Sequence, residues 1–211
     1  MSKPVIVLGA GGHAKVLIDA LKLNAVDILG ITDPDPAALG REILGVPIIG
    51  TDAVLKDYSP REVQLVNGLG SVGSTQARSD LFGAGKNLGF TFMTVVHPAA
   101  VVAVNAELGE GCQIVAGAII QPGVQLGDNV VINTGASVDH DCVIGSHSHV
   151  APGVTLSGGV QVGEGSHIGT GALVVQGVHI GAASLIGAGS VVLRDIPEGR
   201  KAFGCPAKVV D

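Results

Sequence analysis

The stretch VVINTGASVDHDCVIGSHSHV, Val130 to Val150, repeats its aliphatic residues at a spacing that neither an α-helix nor an ordinary strand produces. Ile132, Val138, Ile144 and Val150 stand six residues apart, and two residues before each comes a small or β-branched side chain: Val130, Ala136, Cys142 and Ser148. Followed outward, the register runs from Val102 to Val192 without a slip, sixteen aliphatic positions each preceded at that offset by Ala, Cys, Ser or Val. One aliphatic and one small inward side chain per hexapeptide is the signature of a parallel β-helix, in which three short strands make one coil. A second period gives the coil length, because Gly109, Gly127, Gly145, Gly163 and Gly181 fall 18 residues apart. The repeat therefore makes about five coils.

Composition agrees with a core of small and aliphatic side chains. The 211 residues include 33 Gly, with 46% hydrophobic, 2% aromatic and 14% charged residues. The formal net charge is -6 and no Lys/Arg-rich run occurs, so there is little to neutralise a phosphate backbone, and nucleic acid is excluded as a partner. The first apolar run, Val5 to Leu8, is too short for a signal segment or a membrane span, and no later stretch reaches the ~18 apolar residues that a span needs. A soluble, cytoplasmic protein is expected. Cys112, Cys142 and Cys205 are odd in number and contain no CxxC, so neither a disulfide framework nor a thiolate zinc site is suggested.

Residues 1–96 lack the period and read as an α/β, Rossmann-like domain with a parallel sheet, preceding a repeat domain over 97–211. Strands are expected at Val5 to Leu8, at Ile28 to Thr32 and within EVQLVNGLG. Helices are expected from about His13 to Leu23, with Val16, Leu17, Ala20 and Leu21 on one face, and over Ser74 to Lys86. Gly9-x-Gly11-x-x-Ala14 followed by Asp33 matches the dinucleotide fingerprint: backbone N–H groups at a helix start hold phosphate, and a carboxylate ending the next strand holds a ribose or base. A full dinucleotide fold needs two such halves, so a mononucleotide or nucleotide-sugar is favoured, with a ligand-free glycine turn as the alternative.

The hexapeptide register sorts the histidines. His149 and His167 each precede an inward aliphatic residue, so both point out of the coil, and they stack one coil apart, about 4.7–4.9 Å at the backbone. With His147 they could converge on zinc as three neutral imidazoles. His140 sits at a corner beside Asp139 and Asp141. There a neutral imidazole can take a proton from an attacking amine or hydroxyl, and an adjacent carboxylate fixes its tautomer. A plain solvent-facing position is the third possibility, and it is the expectation for His147.

VIVLGAGGHAKV, HPAAVV, INTGASVDHDCVIGSHSHVAPG and AFGCPAKVV occur in order along nearly the whole chain, and in them it resembles the bacterial nucleotide-sugar N-acetyltransferases and sialic acid O-acetyltransferases of the hexapeptide-repeat acyltransferases. The resemblance implies a left-handed β-helix, acetyl-CoA as co-substrate, a homotrimer with acetyl-CoA between neighbouring β-helices, and no metal. It implies His140 as general base, with Asp141 raising its basicity. Asn133 and His149 are implied near the acetyl group and thioester, and Thr170 and Ala188 along the pantetheine arm through backbone groups. Gly204 to Lys208 would lie near the adenine end. Gly11, Gly12, His13, Asp33 and Gly70 match positions that hold the nucleotide-sugar. Pro34 replaces a second acidic residue often found beside Asp33, which leaves UDP or GDP undecided. The expected reaction is acetyl transfer to the 4-amino group of a nucleotide-linked dideoxy sugar. O-acetylation of sialic acid, a zinc enzyme of the γ-carbonic-anhydrase type on His147, His149 and His167, and a non-catalytic nucleotide-sugar sensor are the alternatives.

Overall fold

A computed structural model describes residues 3–210. The first domain contains β1 (Val5–Leu8), α1 (Gly12–Leu23), β2 (Ile28–Thr32), β3 (Glu42–Ile43), β4 (Val46–Gly50), β5 (Gln64–Asn67) and α2 (Gln76–Asn87). Its sheet has the order β3-β4-β2-β1-β5 and is parallel except for the β3–β4 hairpin. The central strand β1 is buried throughout, as expected where elements cover both faces of a parallel sheet. One face packs on Leu17, Ile18 and Leu21 of α1, and the other on Phe82, Phe90 and Phe92. Val16 does not belong to the buried face: it is 39% exposed, and Ala14 and Ile18 take the inward positions. The short strands β3 and β4 carried no clear pattern in the sequence.

From Val95 onward the chain winds into three parallel sheets whose rungs are two residues long, apart from a terminal antiparallel hairpin of three-residue strands. The first face holds Val101–Val102, Ile119–Ile120, Ser137–Val138, Thr155–Leu156, Leu173–Val174 and Val191–Val192. The second runs from Glu107–Leu108 to His179–Ile180. The third runs from Val95–Val96 through Val131–Ile132, His149–Val150 and His167–Ile168, and ends in Lys201–Phe203 and Lys208–Val210. Partners across the two-residue rungs are 18 residues apart, as in Val131 to His149 to His167, and the spacing shortens to 16 where Leu185 meets Lys201. The second residue of each central rung is buried, so Ile120, Ile132, Val138, Ile144, Val150, Leu156 and Ile168 fill the axis. Where the small inward residue is Ser, its hydroxyl is satisfied: Ser148 and Ser166 donate to the Gly163 and Gly181 carbonyls, each at 2.9 Å.

The glycine column has a steric cause. A Cβ at Gly109, Gly127, Gly145, Gly163 or Gly181 would lie 2.3–2.6 Å from backbone of the following coil. Another column, every sixth residue from 111 to 189, takes a positive φ at each corner, and glycine fills ten of these fourteen places. Asn129, Asp141, His147 and Ala183 hold the same left-handed conformation without being glycine, at a cost of about 1–2 kcal/mol for an ordinary residue and less for Asn or Asp. Three of these four exceptions carry polar side chains of the site described next.

Candidate active site

The first domain docks on the third face through a buried polar seam. Arg78 of α2 has 0% exposure and donates to the carbonyl oxygens of Leu69 and Asn129 and to Asn129 Oδ1 at 2.9 Å. Burial among neutral acceptors pulls its pKa down to about 10. Gln113, on the rung Gln113–Ile114, donates Nε2–H to the Asn67 carbonyl at 2.7 Å and presents Oε1 to His13 Nε2, also at 2.7 Å. Thr75 donates to the Gly165 carbonyl at 2.8 Å.

Beside this seam an open cleft of about 440 Å³ lies between the start of α1 and the third face. Its walls bring together Gly12, His13 and Gly70 with Asn133 and His149. Gly11 is the N-cap of α1, whose first turn contains no acidic side chain, so the helix start presents backbone N–H groups beside the cleft. The His149 ring is held at both nitrogens, Nε2 by Asn133 Nδ2 at 3.0 Å and Nδ1 by Ser71 Oγ at 2.5 Å. Burial, reinforced by His167, Arg78 and His13, drives its pKa down to about 2. Burial likewise takes His13 to about 4, against the raising effect of its bond to Gln113. Both imidazoles are therefore neutral at physiological pH.

Asp33 lies outside this cleft, in a smaller pocket of about 100 Å³ with Ala10, Asp35 and Arg41, where its Oδ1 accepts from the Asp35 N–H at 2.9 Å. Thr170 and Ala188 fall on the corner column that begins with Thr134 and Pro152, which line the cleft. Successive coils are joined along it by bonds from Gly153 to Thr134, Gly171 to Pro152 and Gly189 to Thr170. The column leads from the cleft toward the C-terminal end of the β-helix.

His140 stands elsewhere, at the corner between the first and second faces. Its Nδ1 bonds Asp141 Oδ2 at 2.8 Å, and its backbone N–H donates to Asp139 Oδ1. Since a carboxylate only accepts, Nδ1 carries the proton of the neutral ring and Nε2 carries the lone pair. The Asp141 bond, followed by the charge of Asp139, raises the His140 pKa above its ordinary value although the side chain is exposed. Gly158 and Gly123, one coil away on either side, leave room for the pair: a Cβ at Gly158 would lie 2.5 Å from His140 Nε2 and Cε1, and one at Gly123 2.5 Å from Asp141 Oδ1.

Two expectations change in three dimensions. His149 and His167 do point out of the coil, but the first domain covers them, leaving 4% and 7% exposed. His147 is not plain surface: it is half-buried, its ring lies edge-on to Phe82 with centroids 5.5 Å apart, and Asn129 Nδ2 reaches its Nδ1 at 3.1 Å. With His147 and His149 so engaged, His147, His149 and His167 do not converge, and the described residues contain no group of three His, Cys, Asp or Glu side chains placed to hold a metal. Sequence reasoning missed Ser71, Arg78, Gln113 and Asn129. Only Asn129 left a signal, as a non-glycine in the corner column.

A parallel β-helix with an exposed His–Asp pair at one corner and a polar cleft under an α/β domain defines a hexapeptide-repeat acyltransferase. Residues 4–83 match the family described as PglD N-terminal domain, residues 123–158 the bacterial transferase hexapeptide, and residues 159–194 the hexapeptide repeat of succinyl-transferase. The chain is similar to PerB from Caulobacter crescentus, solved with CoA and GDP-perosamine, with 40% identity, 100% of this chain and 99% of that chain covered, and a TM-score of 0.91. It is also similar to the acetyltransferase domain of PglB from Neisseria gonorrhoeae, solved with acetyl coenzyme A, at 36% identity, 100% coverage of both chains and a TM-score of 0.91. WeeI from Acinetobacter baumannii shares the fold at 22% identity, with 99% of this chain and 100% of that chain covered and a TM-score of 0.80. No curated protein matches the chain. The chain belongs to the bacterial nucleotide-sugar N-acetyltransferase and sialic acid O-acetyltransferase family, left-handed β-helix enzymes that depend on acetyl-CoA, and is a sugar N-acetyltransferase.

Proposed function

We propose that this enzyme transfers acetyl from acetyl-CoA to the 4-amino group of a UDP- or GDP-linked dideoxy sugar, by direct attack in a ternary complex. The observation that carries this reading is the His140–Asp141 pair, with Nδ1 tied to the carboxylate and no hydrogen bond at Nε2 among the described residues. His140 Nε2 removes a proton from the amine as its nitrogen attacks the thioester carbonyl. The C–N bond forms, the C–S bond breaks, and the imidazolium returns its proton to the departing CoA thiolate. Asp141 holds the ring and stabilises its charged form.

Residues 1–96 hold the nucleotide-sugar, with Gly11, Gly12, His13 and Gly70 around the sugar and phosphates and Asp33 on the nucleoside side. Residues 97–211 hold acetyl-CoA, with Asn133 and His149 at the acetyl group and Thr170 and Ala188 along the arm. Two features support this division: Gly12, His13, Gly70, Asn133 and His149 share one cleft, and the Thr170–Ala188 column leads away from it. The enzyme works as a homotrimer in the cytoplasm, where acetyl-CoA and nucleotide-sugars are available. In support of the trimer, the first face, lying between the His140 corner and the Thr134–Ala188 corner, exposes Val101, Ile119 and Leu173. A head-to-tail contact that closes would join one chain's His140 to its neighbour's cleft. No helix among the described residues is long and apolar enough to cross a membrane.

The test supplies acetyl-CoA with UDP- and GDP-linked 4-amino sugars or with free sialic acid, and follows CoA thiol release. Release is expected with a nucleotide-linked amino sugar. His140→Ala and His140→Asn should lose about 10²- to 10⁴-fold in turnover while acetyl-CoA still binds. Near-normal turnover in those variants would remove His140 as the base, and release with sialic acid alone would establish O-acetylation instead.

A further inference from the structure

The hydrogen bonds around His149 have a direction. The Thr134 backbone N–H donates to Asn133 Oδ1 at 2.8 Å, so the carboxamide oxygen is committed and Nδ2–H faces His149 Nε2. A nitrogen that accepts there carries no proton. The ring is uncharged, because desolvation opposes its protonation, so its single proton sits on Nδ1 and is donated to Ser71 Oγ. Ser71 accepts through its oxygen, and its own hydroxyl hydrogen has no partner among the described residues. Ser71 forms part of the cleft wall together with Gly70 and Asn133, so that hydrogen is free to meet a group bound there.

The opposite wall is set by the same logic with the opposite sign. Gln113 gives its amide N–H to the Asn67 carbonyl, so its oxygen faces His13, which must donate through Nε2 and keeps Nδ1 bare. Neutral imidazoles therefore frame the cleft 6.5 Å apart, and Ser71 adds a hydroxyl donor to it.

We propose that Ser71 is a substrate-binding residue whose hydroxyl, oriented by the Asn133–His149 relay, donates a hydrogen bond to an electron-rich oxygen of the bound reactants. The chemistry fits a phosphate oxygen of the nucleotide-sugar or the thioester carbonyl oxygen as it gains charge during acetyl transfer. This inference rests on the acetyl-transfer reading above, but the direction of the relay does not depend on any substrate.

The experiment therefore has two parts. In ¹⁵N-histidine spectra of the full chain, with the His149 signal identified by its loss in His149→Gln, the ring should carry its proton on Nδ1 at neutral pH. A proton on Nε2 would overturn the proposal whatever the enzyme acetylates. In kinetics with the nucleotide-sugar that gives CoA release, Ser71→Ala should lower kcat/KM about 10- to 100-fold in protein that still unfolds cooperatively. Ser71→Thr, which keeps the hydroxyl, should recover most of that loss. A fall in kcat at constant KM assigns the oxygen to the thioester, and a rise in KM for the nucleotide-sugar alone assigns it to a phosphate. Ser71→Ala kinetics within two-fold of the parent in both constants would overturn the proposal.

Discussion

His140 and His149 stand on opposite sides of one triangular coil: His140 at the corner joining the first and second faces, His149 on the third face beneath the first domain. A packed core of aliphatic side chains separates them, so a site that uses both must draw them from two chains. Co-expressed His140→Ala and His149→Ala chains, each nearly inactive alone, should recover activity at about a quarter of all sites in randomly assembled head-to-tail trimers, one site in each mixed trimer. CoA release from the purified mixture measures this. No recovery, or a monomer by sedimentation, would mean that one of the two histidines lies outside the site.

Gly158 is a clean probe of the His140 ring. Its φ is not in the left-handed region, and the atoms nearest an added Cβ are those of the His140 imidazole. Gly158→Ala should leave the melting temperature nearly unchanged but push the imidazole from its bond with Asp141. Turnover should fall about 10-fold or more while KM for acetyl-CoA holds. A KM change without loss of turnover would place Gly158 in a different role.

The Asp141 carboxylate is the main cause of the raised His140 pKa, and a base must be unprotonated to act. The acidic limb of the kcat/KM profile should therefore lie above the ordinary histidine value of about 6.5. In Asp141→Asn it should move to lower pH while the plateau rate drops. A limb that stays in place would show that a different group titrates.

Asp141 also occupies a left-handed corner where ten of the fourteen equivalent places are glycine. Asp141→Gly removes the strain together with the carboxylate. It should slow turnover yet raise stability by up to about 1 kcal/mol, read by denaturant unfolding. Loss of stability would mean that the His140–Asp141 bond outweighs the backbone term.

Buried His13 and His149 make the fold acid-sensitive. Each has a folded-state pKa below its unfolded value of about 6.5, so the unfolded chain binds more protons under acid conditions. The stability they leave intact above about 6.5 is lost as the pH falls toward about 4 for His13 and about 2 for His149, on the order of 1 kcal/mol per pH unit for each. Unfolding measured across this range should flatten in His149→Gln, and an unchanged slope would assign the acid sensitivity elsewhere.

The hexapeptide register, the core it builds and the glycine column were legible because every coil meets the same steric demand, repeated through local sequence. β1, α1 and β2 were legible for a similar reason, each carrying its own apolar pattern between turn residues. His140 beside Asp141 could be picked out because two neighbours in sequence make that contact unaided. The seam under the first domain was not legible. His13 meets Gln113 across 100 residues and Arg78 meets Asn129 across 51, and nothing in either segment names its partner. Ser71, on a glycine-rich connection, looked like any loop serine.

By itself, then, the chain determines a β-helix, its coil length and a His140–Asp141 pair at one corner, since periodic packing and adjacent residues need no long-range information. Only the tertiary structure decides which face the first domain covers, and so which histidines lose their water. That docking takes His149 out of solvent and holds it neutral, while His140, at the far corner, stays exposed and is made more basic by the carboxylate next to it.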